Sequence, residues 1–201
     1  MDFNWARTFD RTLHREEPAE PSKRHIVVAW AAGIVAVLFM GSVAARMAAP
    51  TIHPDEWGFL TNGQALIGHV EAPIPTGSFY PAGFGIITGL AALVSGSISG
   101  AYRITLFVNI GFALATAWWA GRLARQVFQV SQNVSRVVMA LVAVLPGTLV
   151  SAMFAWPEIA ARLAFLGFIS LVYRAVLKTS PRAVLVLTAC TGLMPALHGR
   201  F

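Results

Sequence analysis

Residues 26–56 read IVVAWAAGIVAVLFMGSVAARMAAPTIHPDE, and this stretch decides the expected fold. Its first part, residues 26–45, carries no charge and is long enough to cross a bilayer, which takes about 20 residues. A short loop follows, and Asp55 and Glu56 lie side by side in it. Carboxylates next to a membrane span are costly to bury without partners, so they tend to face water or a polar cavity. The sequence therefore predicts a membrane helix followed directly by an acidic external site.

Composition indicates an integral membrane protein. The chain has 201 residues, of which 56% are hydrophobic and 12% are charged, whereas a soluble domain has about 25% charged residues. The net charge of +6 is not read as a nucleic-acid signal, because the basic residues align with the ends of apolar segments. We expect no nucleic-acid partner. Cys190 is the only cysteine, which excludes a disulfide framework and a thiolate metal site.

Charge sorting predicts the topology. Segment 82–98 either spans the membrane or lies on its outer face as a juxtamembrane helix. The second alternative places eleven of the fifteen basic residues inside, as the positive-inside rule favours. We therefore expect an all-α membrane protein with a cytoplasmic tail at 1–25, a first external loop at 46–103 and residue 201 outside. The five predicted spans are 26–45, 104–121, 137–156, 159–173 and 183–197.

Glycine and proline refine this prediction. Pro146-Gly147 lies in the middle of segment 137–156 and predicts a kink there. Gly85 and Gly89, like Gly96 and Gly100, are spaced as in GxxxG motifs, which indicate close helix packing. A cleaved signal peptide is the less favoured interpretation of 26–45, because the polar region before it is long.

The order of features after the first span resembles a known family. An apolar span, a short loop, Asp55-Glu56 and then Phe79-Tyr80-Pro81 before a new apolar run resemble the start of GT-C class glycosyltransferases. The resemblance is to the polyprenyl-phosphate-sugar-dependent, protein-mannosyltransferase-like branch, and it covers residues 26–201. It implies a multi-spanning enzyme of the bacterial inner membrane with a catalytic aspartate in its first external loop.

GT-C enzymes usually have eight or more spans, and about five are predicted here. The resemblance therefore implies the N-terminal part of such an enzyme, or a small relative completed by a membrane-protein partner. In both cases we expect the chain alone to show no transferase activity.

Sugar transfer from a lipid phosphate to a hydroxyl needs a base that takes the proton of the acceptor. Asp55 is the candidate base, and the alternative is that it caps a helix starting at Trp57. Glu56 is expected to support the loop or hold a metal rather than act as the base. The resemblance implies a second acid at Glu158, which follows Trp156-Pro157. Its alternative role is to complement the dipole of the helix that it opens.

The transfer also needs groups that hold the phosphate as charge develops. The resemblance implies this role for Arg103, in Ala-Tyr-Arg-Ile, and for Arg162, in Ala-Ala-Arg-Leu. Both could instead anchor helices at the membrane interface. His53 is a candidate to assist Asp55, and Tyr80 is a candidate to stack on the sugar. The histidines lack metal-ligand spacing, so a divalent metal is possible but not required by the sequence.

Two functions of other classes remain as alternatives. The first is a non-catalytic membrane subunit that binds a lipid-linked sugar or a partner protein. The second is a fragment of a transporter. Transporters place functional charges near the middle of the bilayer, whereas the acids here cluster at one predicted surface, which favours the transferase.

Overall fold

The computed structural model describes residues 19–50, 54–69, 82–176 and 180–197. Within these ranges the chain forms eight α-helices and no β-strand, which confirms the predicted all-α class. The helices are α1 (Lys23–Arg46), α2 (Pro54–Leu66), α3 (Ala82–Ser95), α4 (Ile98–Phe128), α5 (Gln132–Val144), α6 (Pro146–Ala152), α7 (Glu158–Val176) and α8 (Pro181–Leu197).

Helix α4 is the centre of the bundle and packs against α1, α2, α3, α5, α6 and α7. Most of its buried positions are alanine, threonine or glycine, so neighbouring helices can approach its backbone closely. The main buried cluster joins α4 to α1, to α2 and to the chain around the start of α7. Its members are Met40, Ala44, Leu60, Tyr102, Leu106, Ile110, Ala113, Ala152, Ala155 and Ile159.

Among the described residues, three helices are long and apolar enough to cross a membrane: α1, α4 and α7. The pair α5 and α6, bent by 55°, gives a fourth if it forms one span. Helix α3 and the apolar part of α8, Pro181–Thr191, are shorter. The structure is therefore that of an all-helical chain compatible with a membrane protein, and the predicted count of five spans is not confirmed. The side of the membrane on which each end lies stays a prediction.

The predicted span at 137–156 is not one helix. Helix α5 ends at Val144, α6 starts at Pro146, and residues 153–157 are not helical. Proline has no backbone N–H and its ring clashes with the carbonyl four residues earlier, so it fits only the first turn of a helix. Leu145 takes the extended conformation that a following proline favours, with ψ of 131°. The kink expected at Pro146-Gly147 is thus a complete break.

The start of α4 also differs from the prediction. The helix begins at Ile98 and not at residue 104, so Tyr102 and Arg103 lie inside it. Ser97 caps it by accepting a hydrogen bond from the backbone N–H of Gly100 at 3.1 Å. At 31 residues α4 is about 46 Å long at ~1.5 Å per residue. It is therefore longer than the ~30 Å hydrocarbon core of a bilayer.

Glycines allow the backbones of α2 and α3 to approach each other closely. A Cβ at Gly63 would lie 2.6 Å from the backbone nitrogen of Gly89 and 2.9 Å from the carbonyl oxygen of Gly85. The two helices therefore cross in backbone contact, which confirms the packing predicted for the first GxxxG pair. The prediction was wrong for the second pair, because Gly96 is at φ +64° in the turn between α3 and α4. A residue in a turn cannot share a helix face with Gly100.

Candidate active site

The carboxylate of Glu56 joins three parts of the fold. Glu56 lies in the first turn of α2 and is fully buried. Its Oε1 accepts hydrogen bonds from the Tyr102 hydroxyl at 2.9 Å and from the backbone N–H of Ala155 at 2.8 Å. A buried carboxylate needs such donors because it has lost its contact with water. Helix α2 is thereby fixed to α4 and to residues 153–157, here called the α6–α7 loop.

Asn109 also holds the α6–α7 loop. It is fully buried on α4, and its Nδ2 donates to the carbonyl oxygens of Phe154, at 2.7 Å, and Trp156, at 3.2 Å. The side chains of Glu56 and Asn109 therefore bind three consecutive backbone positions that no helix satisfies. A buried backbone polar group without a hydrogen-bond partner is costly. Asn109 and Glu56 supply such partners here.

Asp55 lies beside Glu56 in the first turn of α2, and it is half-buried. Helix α2 begins at Pro54 and not at Trp57, so the alternative prediction that Asp55 caps the helix is wrong. A carboxylate in the first turn still interacts favourably with the helix dipole. Asp55 is less deeply buried than Glu56, which is 0% exposed.

Glu158 opens α7 directly after the α6–α7 loop and is half-buried. The hydrogen bond between Glu56 and Ala155 brings the first turn of α2 to the loop that ends at Glu158. The three predicted acids thus lie around one loop, although 102 positions separate Glu56 and Glu158 in the sequence. Within the described ranges, no three His, Cys, Asp or Glu side chains are placed to hold a metal ion.

Arg162 lines a groove of about 520 Å³. The groove lies between α4, the α5–α6 pair and α7, and its wall is mostly apolar. The guanidinium group lies against Gly147, where a Cβ would be 3.2 Å from Nη1. The residues that line the groove are Thr116, Ala120, Val142, Leu145, Thr148, Ala161, Arg162, Phe165 and Leu166.

Arg103 has a different environment. Its Nε donates to the carbonyl oxygen of Met47 at 2.8 Å, which ties α4 to the residue that follows α1. It does not line the Arg162 groove. The structure therefore does not bring the two predicted phosphate-binding arginines into one pocket. The other two predicted site residues, His53 and Tyr80, lie outside the described residues.

Tyr102 and Asn109 belong to the site but were not predicted from the sequence. Tyr102 was noted only as a neighbour of Arg103, although its hydroxyl is buried against Glu56. A signal existed for Asn109, because an amide in the middle of an apolar segment is costly unless it is hydrogen-bonded. No sequence signal identified its partners, which are backbone carbonyls.

Comparisons of the chain with protein-family models, with curated proteins and with solved structures give no match. The resemblance to GT-C enzymes therefore stands on the sequence features alone. The function has to be argued from the chemistry of the site.

Proposed function

We propose that this chain carries a sugar-transfer site of the GT-C type. A polyprenyl-phosphate sugar is the donor, and a hydroxyl group at the outer face of the membrane is the acceptor. The acceptor oxygen forms a bond to the anomeric carbon, the bond from that carbon to the phosphate oxygen breaks, and polyprenyl phosphate leaves. Asp55 takes the proton of the acceptor. The observation that carries the proposal is the set of hydrogen bonds that Tyr102 and Ala155 donate to Glu56, here called the Glu56 network. It brings the acidic first turn of α2 to the loop before Glu158.

Burial separates the roles of the two adjacent acids. Glu56 is 0% exposed and its Oε1 already accepts two hydrogen bonds. It is therefore a positioning residue that fixes the first turn of α2. Asp55 is only half-buried, and a general base must come within hydrogen-bond reach of the proton that it removes. These facts favour Asp55 over Glu56 as the base.

The Arg162 groove suits the lipid part of the donor. A mostly apolar wall with one cation matches an isoprenoid chain that carries a phosphate, since guanidinium binds phosphate with charge-assisted hydrogen bonds. Arg162 lies four residues after Glu158 on α7, about 6 Å along the helix at ~1.5 Å per residue.

The contacts of α4 show in which direction the Arg162 groove extends from the three acids. Asn109 bonds the loop before α7, and Trp119, further along α4, donates from Nε1 to Ser170 Oγ at 2.8 Å, further along α7, so α4 and α7 run parallel. The groove reaches Ala120, near the depth of Ser170, and so extends away from the acids. A phosphate at Arg162 would therefore sit close to Glu158, with its chain directed deeper into the bundle.

The test is Asp55→Asn in the complete active assembly, assayed in native membranes that supply any membrane-protein partner of the chain. Donors with a labelled hexose or pentose on polyprenyl phosphate are supplied, and release of label from the lipid phase is measured. We expect a loss of about 10²–10⁴-fold if only general-base help is removed, with donor binding retained. Glu20→Gln, far from the site in the fold, is the matched control. If Asp55→Asn transferred sugar at a near-wild-type rate, Asp55 would not be the general base and its role would be structural.

The non-catalytic subunit remains the second candidate, because the Arg162 groove would serve a lipid-binding protein equally well. It predicts donor binding that depends on Arg162, with no transfer above that of membranes lacking the chain. The two functions are therefore separated by turnover and not by binding.

A further inference from the structure

Four exposed arginines surround the other end of α4, which is called the arginine end here. Arg122 and Arg125 are on α4, Arg136 is on α5 and Arg174 is on α7. Tyr102 and Arg122 are 20 residues apart on α4, which is about 30 Å at ~1.5 Å per residue. The arginine end therefore lies one hydrocarbon thickness away from the Glu56 network, at the membrane surface that charge sorting assigns to the cytoplasm.

Two cavities meet at Arg122, one on each side of α4. The first, of about 720 Å³, lies between α4, α7 and α8, and has a mostly apolar wall with Arg174 at its rim. The second, of about 530 Å³, lies between α1, α4 and α5, and is polar, with Arg125 and Arg136 in its wall. Both cavities are lined by Trp118, Arg122 and Gln126. Arg122 thus lines both cavities, Arg174 lines the first, and Arg125 and Arg136 line the second.

An apolar groove continues from the second cavity. It measures about 270 Å³ and lies between α1, α4 and α5, with Trp30, Trp118 and Met139 common to both spaces. Trp118 therefore lines an apolar groove on each side, and Arg122 lines the first groove and the polar cavity next to the second. This is the shape of a ligand with one anionic head and two apolar chains.

Local contacts hold this arrangement in place. The guanidinium carbon of Arg122 lies 5.6 Å from the centre of the Trp118 ring, within the range of a cation–π contact. Trp119 is fixed by its hydrogen bond to Ser170 at 2.8 Å. Of the carboxylates in the described ranges, the one on an element next to this end is Glu20, which accepts from Asn133 at 3.4 Å. Among the described residues, the charge in the walls of the two cavities is therefore positive.

We infer that the arginine end binds an anionic, two-chain phospholipid of the cytoplasmic leaflet. Its phosphate lies among Arg122, Arg125, Arg136 and Arg174, and its acyl chains lie in the two apolar grooves beside Trp118. Basic pockets between membrane helices on the cytoplasmic side are suited to such headgroups, and arginine pairs with phosphate in a bidentate geometry. This site does not depend on the proposed transferase function, because it lies at the opposite end of α4.

Purified protein in detergent is titrated with phosphatidylglycerol and, separately, with zwitterionic phosphatidylcholine of the same chains, and lipid binding is read by native mass spectrometry. We expect phosphatidylglycerol to bind at least tenfold more tightly. Arg122→Gln combined with Arg174→Gln should lower that affinity at least tenfold, whereas Arg46→Gln, at the other end of α1, should leave it unchanged. Equal binding of the two lipids, or equal effects of the two sets of substitutions, would refute the site.

Two further measurements complete the test. Glycerol phosphate, which carries the anion without chains, should not compete at concentrations where the lipid saturates, and full competition by it would show an anion site without lipid specificity. Phosphatidylglycerol brominated in its acyl chains should quench tryptophan fluorescence of the wild-type protein, and Trp118→Phe should remove part of that quenching. Quenching that is the same in both proteins would place the chains elsewhere. This measurement holds even if the double arginine variant does not fold.

Discussion

The Glu56 network makes a quantitative prediction about stability. Tyr102→Phe removes one donor to a fully buried carboxylate and leaves the ring in place. A hydrogen bond to a charged group contributes about 1.5–3 kcal/mol. For a chain of this size, each kcal/mol shifts Tm by roughly 2–4 °C. The expected loss in Tm is therefore about 3–12 °C.

Glu56→Gln tests the same network from the carboxylate side. Gln keeps the size and an acceptor oxygen, but it replaces charged hydrogen bonds by neutral ones of about 0.5–1.5 kcal/mol each. Because Tyr102 and Ala155 both donate to Oε1, the Tyr102→Phe and Glu56→Gln changes should not add. A coupling of about 0.5–3 kcal/mol is expected from the double variant.

The assay is thermal unfolding in one detergent, with the wild type, the two single variants, the double variant and a control variant measured side by side. Tyr173→Phe is the matched control, because it removes a hydroxyl from a half-buried tyrosine of α7 outside the network. We expect it to change stability by less than about 0.5 kcal/mol. If Tyr102→Phe were no more harmful than Tyr173→Phe, or if the two network substitutions were strictly additive, the reasoning would be refuted.

Three other predictions concern packing, lipid binding and topology. Gly63→Ala should cost about 1–3 kcal/mol, because its Cβ meets the backbone of α3, whereas Gly167→Ala, with open space around the Cβ, should be neutral or stabilising by thermal unfolding. Arg162→Ala should weaken polyprenyl-phosphate binding about tenfold or more, with only partial rescue by Lys; unchanged affinity would remove this residue from the site. A cysteine at Ser97, in a chain with Cys190→Ser, should react with an impermeant thiol reagent from the outer face, and labelling only from the cytoplasm would invert the topology.

Most of the helices could be predicted from local sequence patterns. An uncharged run of about 20 residues predicted α1, and the paired glycines of α3 predicted close packing. The length of an uncharged run and the spacing of two glycines are local patterns, so both can be recognised without knowing which helices pack against them. The same rules predicted that Glu158 opens a helix, since a carboxylate is favoured there by the dipole. The start of α4 and the break after Val144 were placed less well, because several residues in each region are compatible with a helix end.

Tertiary structure alone decided which of the predicted residues meet. Glu56 bonds to Tyr102, 46 positions away, and to Ala155, 99 positions away. No period or motif in one sequence encodes a contact over such a separation, because the contact depends on how α2 and the α6–α7 loop pack on α4. The packing buried Glu56 completely, left Asp55 half-buried, and separated Arg103 from the Arg162 groove. The sequence by itself thus determined a helical chain with two adjacent acids, and packing determined how deeply each acid is buried and which groups it contacts.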